Sequence, residues 1–333
     1  MSASSRHRGA RWLLLAAIGL PSLLLVEVGL RRLELPRFDA CEPRSDFPWQ
    51  PDAEVFNVLR AHAEIGVGRT NALGLRGPEI QVPRSPRVAR ILFVGDSTCW
   101  GLGVEYGRTF AARSAEIAAR AIGRPIEIVN GCVPGHSSFQ SRIMLERLMR
   151  FSPDLVVLYV GARNDVDRHR YFRDAEIPAR LARREAAWHR IYVLRALEAG
   201  FDGLYKKLLR KPLSQRRRAR VPPSDFRGNV EAMLDVIATH GARGIVMQPP
   251  FSAALLERHP LIPAYQEILS EVAHQSGESA VPLQPVFASW PEADVYQDDR
   301  LHFAPDGHEL AAHELSRAIV ASLRAEDSEG GGH

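Results

Sequence analysis

The sequence predicts a three-layer α/β/α sandwich built on a central, mostly parallel sheet of five strands. Two observations carry that prediction. Apolar runs alternate with amphipathic helical stretches from residue 88 to residue 325, the pattern of repeated βαβ units. The runs are apolar almost throughout, DLVVLYVG at 154–161 most completely, as strands covered by helices on both faces must be.

The elements follow in order. ARILFVG (89–95) is the first strand. TFAARSAEIAARAIG (109–123) is an alanine-rich amphipathic helix closed by glycine. PIEIVNG (125–131), DLVVLYVG (154–161), ARGIVMQP (242–249) and AVPLQPV (280–286) supply the remaining strands. The intervening helices are SFQSRIMLERLMRF (138–151), DFRGNVEAMLDVIATHG (225–241) and AYQEILSEVAHQSG (264–277). GHELAAHELSRAIVASLRA (307–325) closes the domain, and residues 326–333 form a polar, glycine-rich tail expected to be disordered.

Three segments lie outside this pattern. Residues 1–32 place Arg6, Arg8 and Arg11 before the apolar run WLLLAAIGLPSLLLV at 12–26. A spanning helix needs roughly 20 apolar residues, and a cleavable signal peptide shares the same basic start and apolar middle. No small-residue cleavage site follows, so the expectation is an uncleaved transmembrane anchor. The bulk of the chain is then extracytoplasmic, periplasmic or on the cell surface. Residues 33–87, rich in proline and charge, read as a connector that includes RTNALGLRGPE at 69–79. A basic insertion spans about 166–224 and ends in KKLLRKPLSQRRRAR at 206–220. It reads as a solvated helical excursion or as a surface for acidic glycans or anionic headgroups.

The chain is 45% hydrophobic and 25% charged, with a formal net charge of +4. That is ordinary globular composition, and with no recognition motif beside the charge, nucleic acid is not an expected partner. The cysteines are Cys41, Cys99 and Cys132. Three is odd and few for a disulfide framework, and no pair has metal-ligand spacing, so free thiols and no metal are expected.

Ligands of open parallel sheets bind beyond the carboxyl ends of the strands. Those ends carry Gly95-Asp96-Ser97, NGCVPGHSS (130–138), GARNDVD (161–167) and DDRLHFAPDGH (298–308). Together they hold a hydroxyl, glycine amides, an asparagine amide and an Asp-x-x-His pair. Acyl transfer needs this inventory: a nucleophile, a histidine to take its proton, a carboxylate to orient the histidine, and donors for the oxyanion.

These four blocks, in this order, resemble those of the SGNH (GDSL-type) hydrolases. The resemblance covers about residues 88–325 and implies a flavodoxin-like sandwich and an esterase activity without cofactor or metal. RTNALGLRGPE and the N-terminal segment also look like membrane-anchored members. Carried over, Ser97 is the nucleophile, His302 the general base and acid, and Asp299 the residue that orients His302. The oxyanion donors are the amides of Ser97 and Gly135 and the side chain of Asn164. Thr98 stands where the signature has leucine, and the third block is one residue longer than Gly-x-Asn-Asp. Arg163 either bulges outward, leaving Asn164 in place, or displaces its amide from the oxyanion hole.

The expected substrate is an acyl ester, acetyl among the candidates, on an extracytoplasmic glycan or lipid. An O-acyltransferase would use the same triad, and a non-catalytic glycan-binding or assembly protein would keep only the fold. Asp96 reads as a turn former and His136 and His308 as structural residues. An α/β-hydrolase elbow, G-x-S-x-G, is disfavoured by Cys99 at its second glycine position and by an acid and histidine only three residues apart. The glycines at 101 and 103 lack dinucleotide spacing.

Overall fold

The computed structural model of the 333-residue chain describes residues 3–33, 48–166 and 218–330. Between 167 and 217 it describes only 168–169, 173–176, 178–179, 191–194, 196–197 and 200.

A first helix, α1, runs over Ala3–Arg32. Two antiparallel hairpins follow, β1 (Trp49–Asp52) with β2 (Phe56–Leu59), and β3 (Glu64–Ile65) with β4 (Gly68–Arg69). The sandwich then begins with β5 (Ala89–Gly95), the short helix α2 (Ser97–Trp100), α3 (Phe110–Ile122), β6 (Ile126–Asn130), α4 (Ser138–Leu148), β7 (Leu155–Tyr159) and α5 (Arg163–Val166). A small pair, β8 (Arg168–His169) with β9 (Arg218–Ala219), draws the two ends of the insertion together. The chain continues through α6 (Pro223–Thr239), β10 (Arg243–Gln248), α7 (Ala253–Arg258), α8 (Ile262–Gln275) and β11 (Ser279–Pro282). The last elements are α9 (Gln284–Phe287), α10 (Glu292–Val295) and α11 (Pro305–Gly330).

The five long strands form one sheet in the order β11-β10-β7-β5-β6, and every neighbouring pair is parallel. This is the flavodoxin-like order, and its switch point lies between β5 and β7. All residues of β5 and β7 are buried. Helices α3 and α11 pack together on one face, and α4, α6 and α8 form the other layer. Local chemistry sets the boundaries. The Thr109 hydroxyl caps α3 by accepting the Ala112 amide, and Gly123 ends it in the left-handed region.

Several sequence expectations change here. The connector is a packed strap over at least residues 49–80: Val55, Leu59, Ile65 and Leu75 join the same core as the sheet. Helix α11 continues to Gly330, beyond the expected start of a disordered tail. Most of the insertion lies outside the described residues. Among the described residues no helix is long and apolar enough to cross a membrane, so the expected transmembrane helix at 1–32 is not found. The apolar run is short, Pro21 interrupts it, and at its end the Glu27 carboxylate pairs with Arg31 and accepts the amides of Tyr192 and Val193.

The cysteine expectation is corrected as well. Cys99 and Cys132 form a disulfide, with their Cα atoms 5.7 Å apart. Their strands, β5 and β6, are parallel neighbours, so the turns that follow lie side by side. A separation of 33 residues hides this in the sequence. Cys41 lies outside the described residues.

Candidate active site

The turn after β5 is built around Gly95, where a Cβ atom would fall 2.4 Å from the Tyr159 carbonyl oxygen of the adjacent strand. Only glycine fits that approach. Asp96 then caps α2: its Oδ1 accepts the amides of Thr98 at 2.9 Å and Cys99 at 3.5 Å. Burial raises the Asp96 carboxyl, against the hydrogen bond from Thr98 and the nearby His302. Ser97 is the first residue of the helix, where an amide has no intrahelical acceptor, and only 9% of the residue is exposed.

His302 reaches this serine from the segment between α10 and α11. Its Nε2 lies 2.8 Å from Ser97 Oγ, and its Nδ1 lies 2.5 Å from Asp299 Oδ2. Asp299 is anchored by its other oxygen, which accepts the amides of Leu301 at 2.9 Å and His302 at 3.0 Å. Partial burial pushes its carboxyl up, but the hydrogen bonds from His302 and from these amides outweigh that and hold it below the usual range. An ionised carboxylate only accepts, so Nδ1 carries the proton and the Nε2 lone pair faces the serine hydroxyl.

The turn itself is pinned. Arg300 adopts φ +56°, and its carbonyl accepts the Ser252 hydroxyl at 2.9 Å. Gln297 links the two sides of the site. Its Nε2 donates to the carbonyls of Leu102 at 2.7 Å and Phe303 at 2.9 Å. Sequence reading missed Gln297, although it stands just before the DDRLH block.

The remaining candidates sit on the turns after β6 and β7. Gly135 is exposed, at φ +88°, and Asn164 is half-buried in α5. Arg163 is exposed, and Gly161 at φ +81° turns the chain out of β7. Asp165 organises this loop. Its carboxylate accepts the amides of Ser138 at 2.8 Å and Gly161 at 3.0 Å, tying the asparagine block to the start of α4. Burial pushes Asp165 up to about 6, with the Ser138 and Gly161 hydrogen bonds opposing. Hydrogen bonds thus join Ser97, His302 and Asp299. Among the described residues, Gly135 and Asn164 are placed on the adjoining turns without a hydrogen bond to that trio.

A family profile for the GDSL-like lipase/acylhydrolase family matches residues 93–310, well over half of the chain. The chain belongs to that family. As a GDSL-like lipase/acylhydrolase it is an enzyme that acts on ester bonds. Similar solved structures include a lipase/acylhydrolase from Enterococcus faecalis, 18% identical, covering 70% of this chain and 96% of that one at a TM-score of 0.49. Another is Axe2, an acetylxylan esterase from Geobacillus stearothermophilus, 16% identical, covering 69% and 94% at a TM-score of 0.48. No curated protein matches the chain.

The other histidines of this GDSL-like protein near the site are buried and locked. His136 meets the Asn57 carbonyl with Nε2 at 2.9 Å, and burial lowers it to about 4. His308 accepts the Phe110 amide at Nδ1, 3.1 Å away, and burial with the Arg76 charge lowers it to about 3. Both are neutral near pH 7 and packed into the fold, and neither bonds to Ser97.

Proposed function

We propose that this chain is a serine esterase that works through Ser97, His302 and Asp299. The observation that supports it most is the single imidazole bonded to Ser97 Oγ on one side and to Asp299 on the other. In this reading His302 removes the hydroxyl proton as Ser97 attacks the ester carbonyl, and Asp299 stabilises the imidazolium that forms. The tetrahedral oxyanion is received by the amides of Ser97 and Gly135 and by the Asn164 side chain, each donor worth about 2.7–4 kcal/mol to the transition state. His302 then returns the proton to the leaving alcohol. Water repeats the sequence on the acyl-enzyme.

The substrate is an acyl ester, acetyl among the candidates, on an extracytoplasmic glycan or lipid. Two features support that location. Disulfides such as Cys99–Cys132 persist in oxidising compartments. Arg6, Arg8 and Arg11 precede the apolar stretch at 12–26, the basic start and apolar middle of an export signal.

The test is turnover of p-nitrophenyl acetate and longer esters by the full chain in detergent. Ser97→Ala should lower kcat at least about 10³-fold. Equal rates for wild type and variant would remove Ser97 from the chemistry.

A further inference from the structure

The stretch RTNALGLRGPE (69–79) takes no part in the chemistry above, yet its side chains fold it into a defined loop. The Thr70 hydroxyl donates to the Arg60 carbonyl at 2.6 Å and accepts the Ala63 amide at 2.8 Å. Asn71 Oδ1 accepts the amides of Leu73 and Leu75 at 2.9 and 3.1 Å, and its Nδ2 donates to the Pro78 carbonyl at 2.9 Å. The Ala72 amide donates to Glu79 at 2.9 Å. Gly77 sits at φ +111°, where a Cβ atom would strike the Tyr106 ring at 2.6 Å. The loop closes on itself, and it presents Leu75 to the core and Arg76 to the nucleophile helix.

Arg76 is 1% exposed and lies behind the nucleophile helix. Its Nη1 donates to the Gly101 carbonyl at 2.8 Å and its Nη2 to the Val104 carbonyl at 2.5 Å. The guanidinium carbon stands 4.0 Å from the centre of the Trp100 ring. Trp100 is the last residue of the helix that begins with Ser97, and Gly101 is its C-cap. The Arg76 amide also donates to the Asn130 carbonyl at 3.3 Å. Asn130 in turn spans the two active loops: its Nδ2 donates to the Cys99 carbonyl at 3.4 Å and its Oδ1 accepts the Cys132 amide at 3.1 Å. The packing leaves no slack, because a Cβ atom on Gly68 would fall 2.3 Å from the Trp100 ring and 2.7 Å from Arg76 Nη1.

Among the described residues no carboxylate pairs with Arg76. Burial lowers it to about 10, so it remains a cation near pH 7. A buried charge without a counter-ion is costly, and for stability alone an apolar side chain of the same size would serve as well. The planar fork offers what an apolar residue cannot: hydrogen bonds to two carbonyls at once and an indole covered by its face.

We infer that Arg76 is a positioning residue for the ester chemistry. It fixes the far end of the Ser97–Trp100 helix and, through Asn130, sets that helix against the Gly135 loop. The strap from 69 to 79 is therefore part of the enzyme's working machinery. This role rests on the serine-esterase reading, because what it positions is Ser97 relative to His302. A displacement of about 1 Å at the nucleophile is worth roughly 100-fold in rate.

The test compares full-length wild type, Arg76→Met, Arg76→Lys and Asn71→Ala. It measures kcat, KM and the rate at which a fluorophosphonate labels Ser97. Arg76→Met should lower kcat and the labelling rate roughly 10–100-fold with KM changed by less than about twofold. Arg76→Lys should recover part of that loss, and Asn71→Ala, which loosens the strap without touching the helix, should show a smaller loss of the same kind. A folded Arg76→Met protein with wild-type kcat and labelling rate would overturn the role, whatever its melting temperature. Should Arg76→Met not fold, Asn71→Ala decides: a slower labelling rate supports the role and an unchanged one overturns it. Wild type that resists labelling would sink the serine-esterase reading and this role with it, an outcome distinct from variants that label as wild type does.

Discussion

Cys99 and Cys132 are bonded to each other two residues after the proposed nucleophile and three before Gly135. The bond therefore ties the helix bearing Ser97 to the loop bearing Gly135. Closing a loop of 33 residues stabilises a fold by about 3–4 kcal/mol in the chain-entropy account. The double variant Cys99→Ala/Cys132→Ala should melt at a lower temperature than wild type in differential scanning calorimetry. Dithiothreitol should lower the wild-type melting temperature and leave the variant unchanged. A variant as stable as wild type, with no response in either protein, would show that the bond contributes nothing.

Asp299 holds His302 in one tautomer, and an asparagine there would offer either an oxygen or an NH2 group to Nδ1. The NH2 orientation turns the imidazole into a donor toward Ser97. Asp299→Asn should lower kcat roughly 10⁴-fold while leaving KM within a few-fold. The loss should persist across the pH range, since it comes from the wrong tautomer and not from a shifted titration. Steady-state kinetics on p-nitrophenyl acetate measure both, and a kcat within tenfold of wild type would remove Asp299 from this role.

Asn164 stands at the end of the loop whose extra residue, Arg163, departs from the family spacing. With Arg163 exposed and Asp165 bonded beneath the loop, the chain absorbs the extra residue without unravelling α5. Asn164→Ala removes one candidate oxyanion donor, and kcat should fall about 10²–10³-fold with KM nearly constant. A parallel loss in Asn164→Asp would strengthen the assignment, because a carboxylate repels the developing charge. Full activity in Asn164→Ala would mean that the longer loop has moved the amide out of the site.

The sheet was legible because β5 and β7 are apolar at nearly every position, and because Thr109 and Gly123 mark the ends of α3 in plain sequence. That Ser97, Asp299 and His302 come together could be expected for a different reason. Ser97 stands directly beyond the apolar run of β5, whereas Asp299 and His302 lie 17 and 20 residues past the end of β11 and are marked only by their Asp-x-x-His spacing and its likeness to the family block. What could not be read are relationships between distant segments. The Cys99–Cys132 bond depends on β6 lying beside β5. Arg76 is buried only because a self-closed loop carries it behind Trp100. Gln297 ties the DDRLH segment to the nucleophile side through the Leu102 carbonyl, far away in the chain. The packing of residues 49–80 is hidden for the same cause: prolines and charges are local signals, while Val55, Leu59 and Leu75 reach a core assembled from elsewhere.

Asp165 gives the fold a pH signature with a definite sign. Its carboxyl is fully enclosed and titrates near 6 in the folded protein, above its ordinary value of 3.8. Between those values the folded state binds more protons than the unfolded state, so stability falls as pH rises through that window. A shift of about two units corresponds to roughly 3 kcal/mol across the window. Chemical denaturation at pH 4, 5, 6 and 7 should show this slope in wild type and a smaller one in Asp165→Asn, which has no proton to lose. The variant will also be less stable overall, because its NH2 group must face the amide of either Ser138 or Gly161. The decisive quantity is therefore the slope and not the midpoint. Identical slopes in the two proteins would show that Asp165 titrates in the folded state as it does in the unfolded chain.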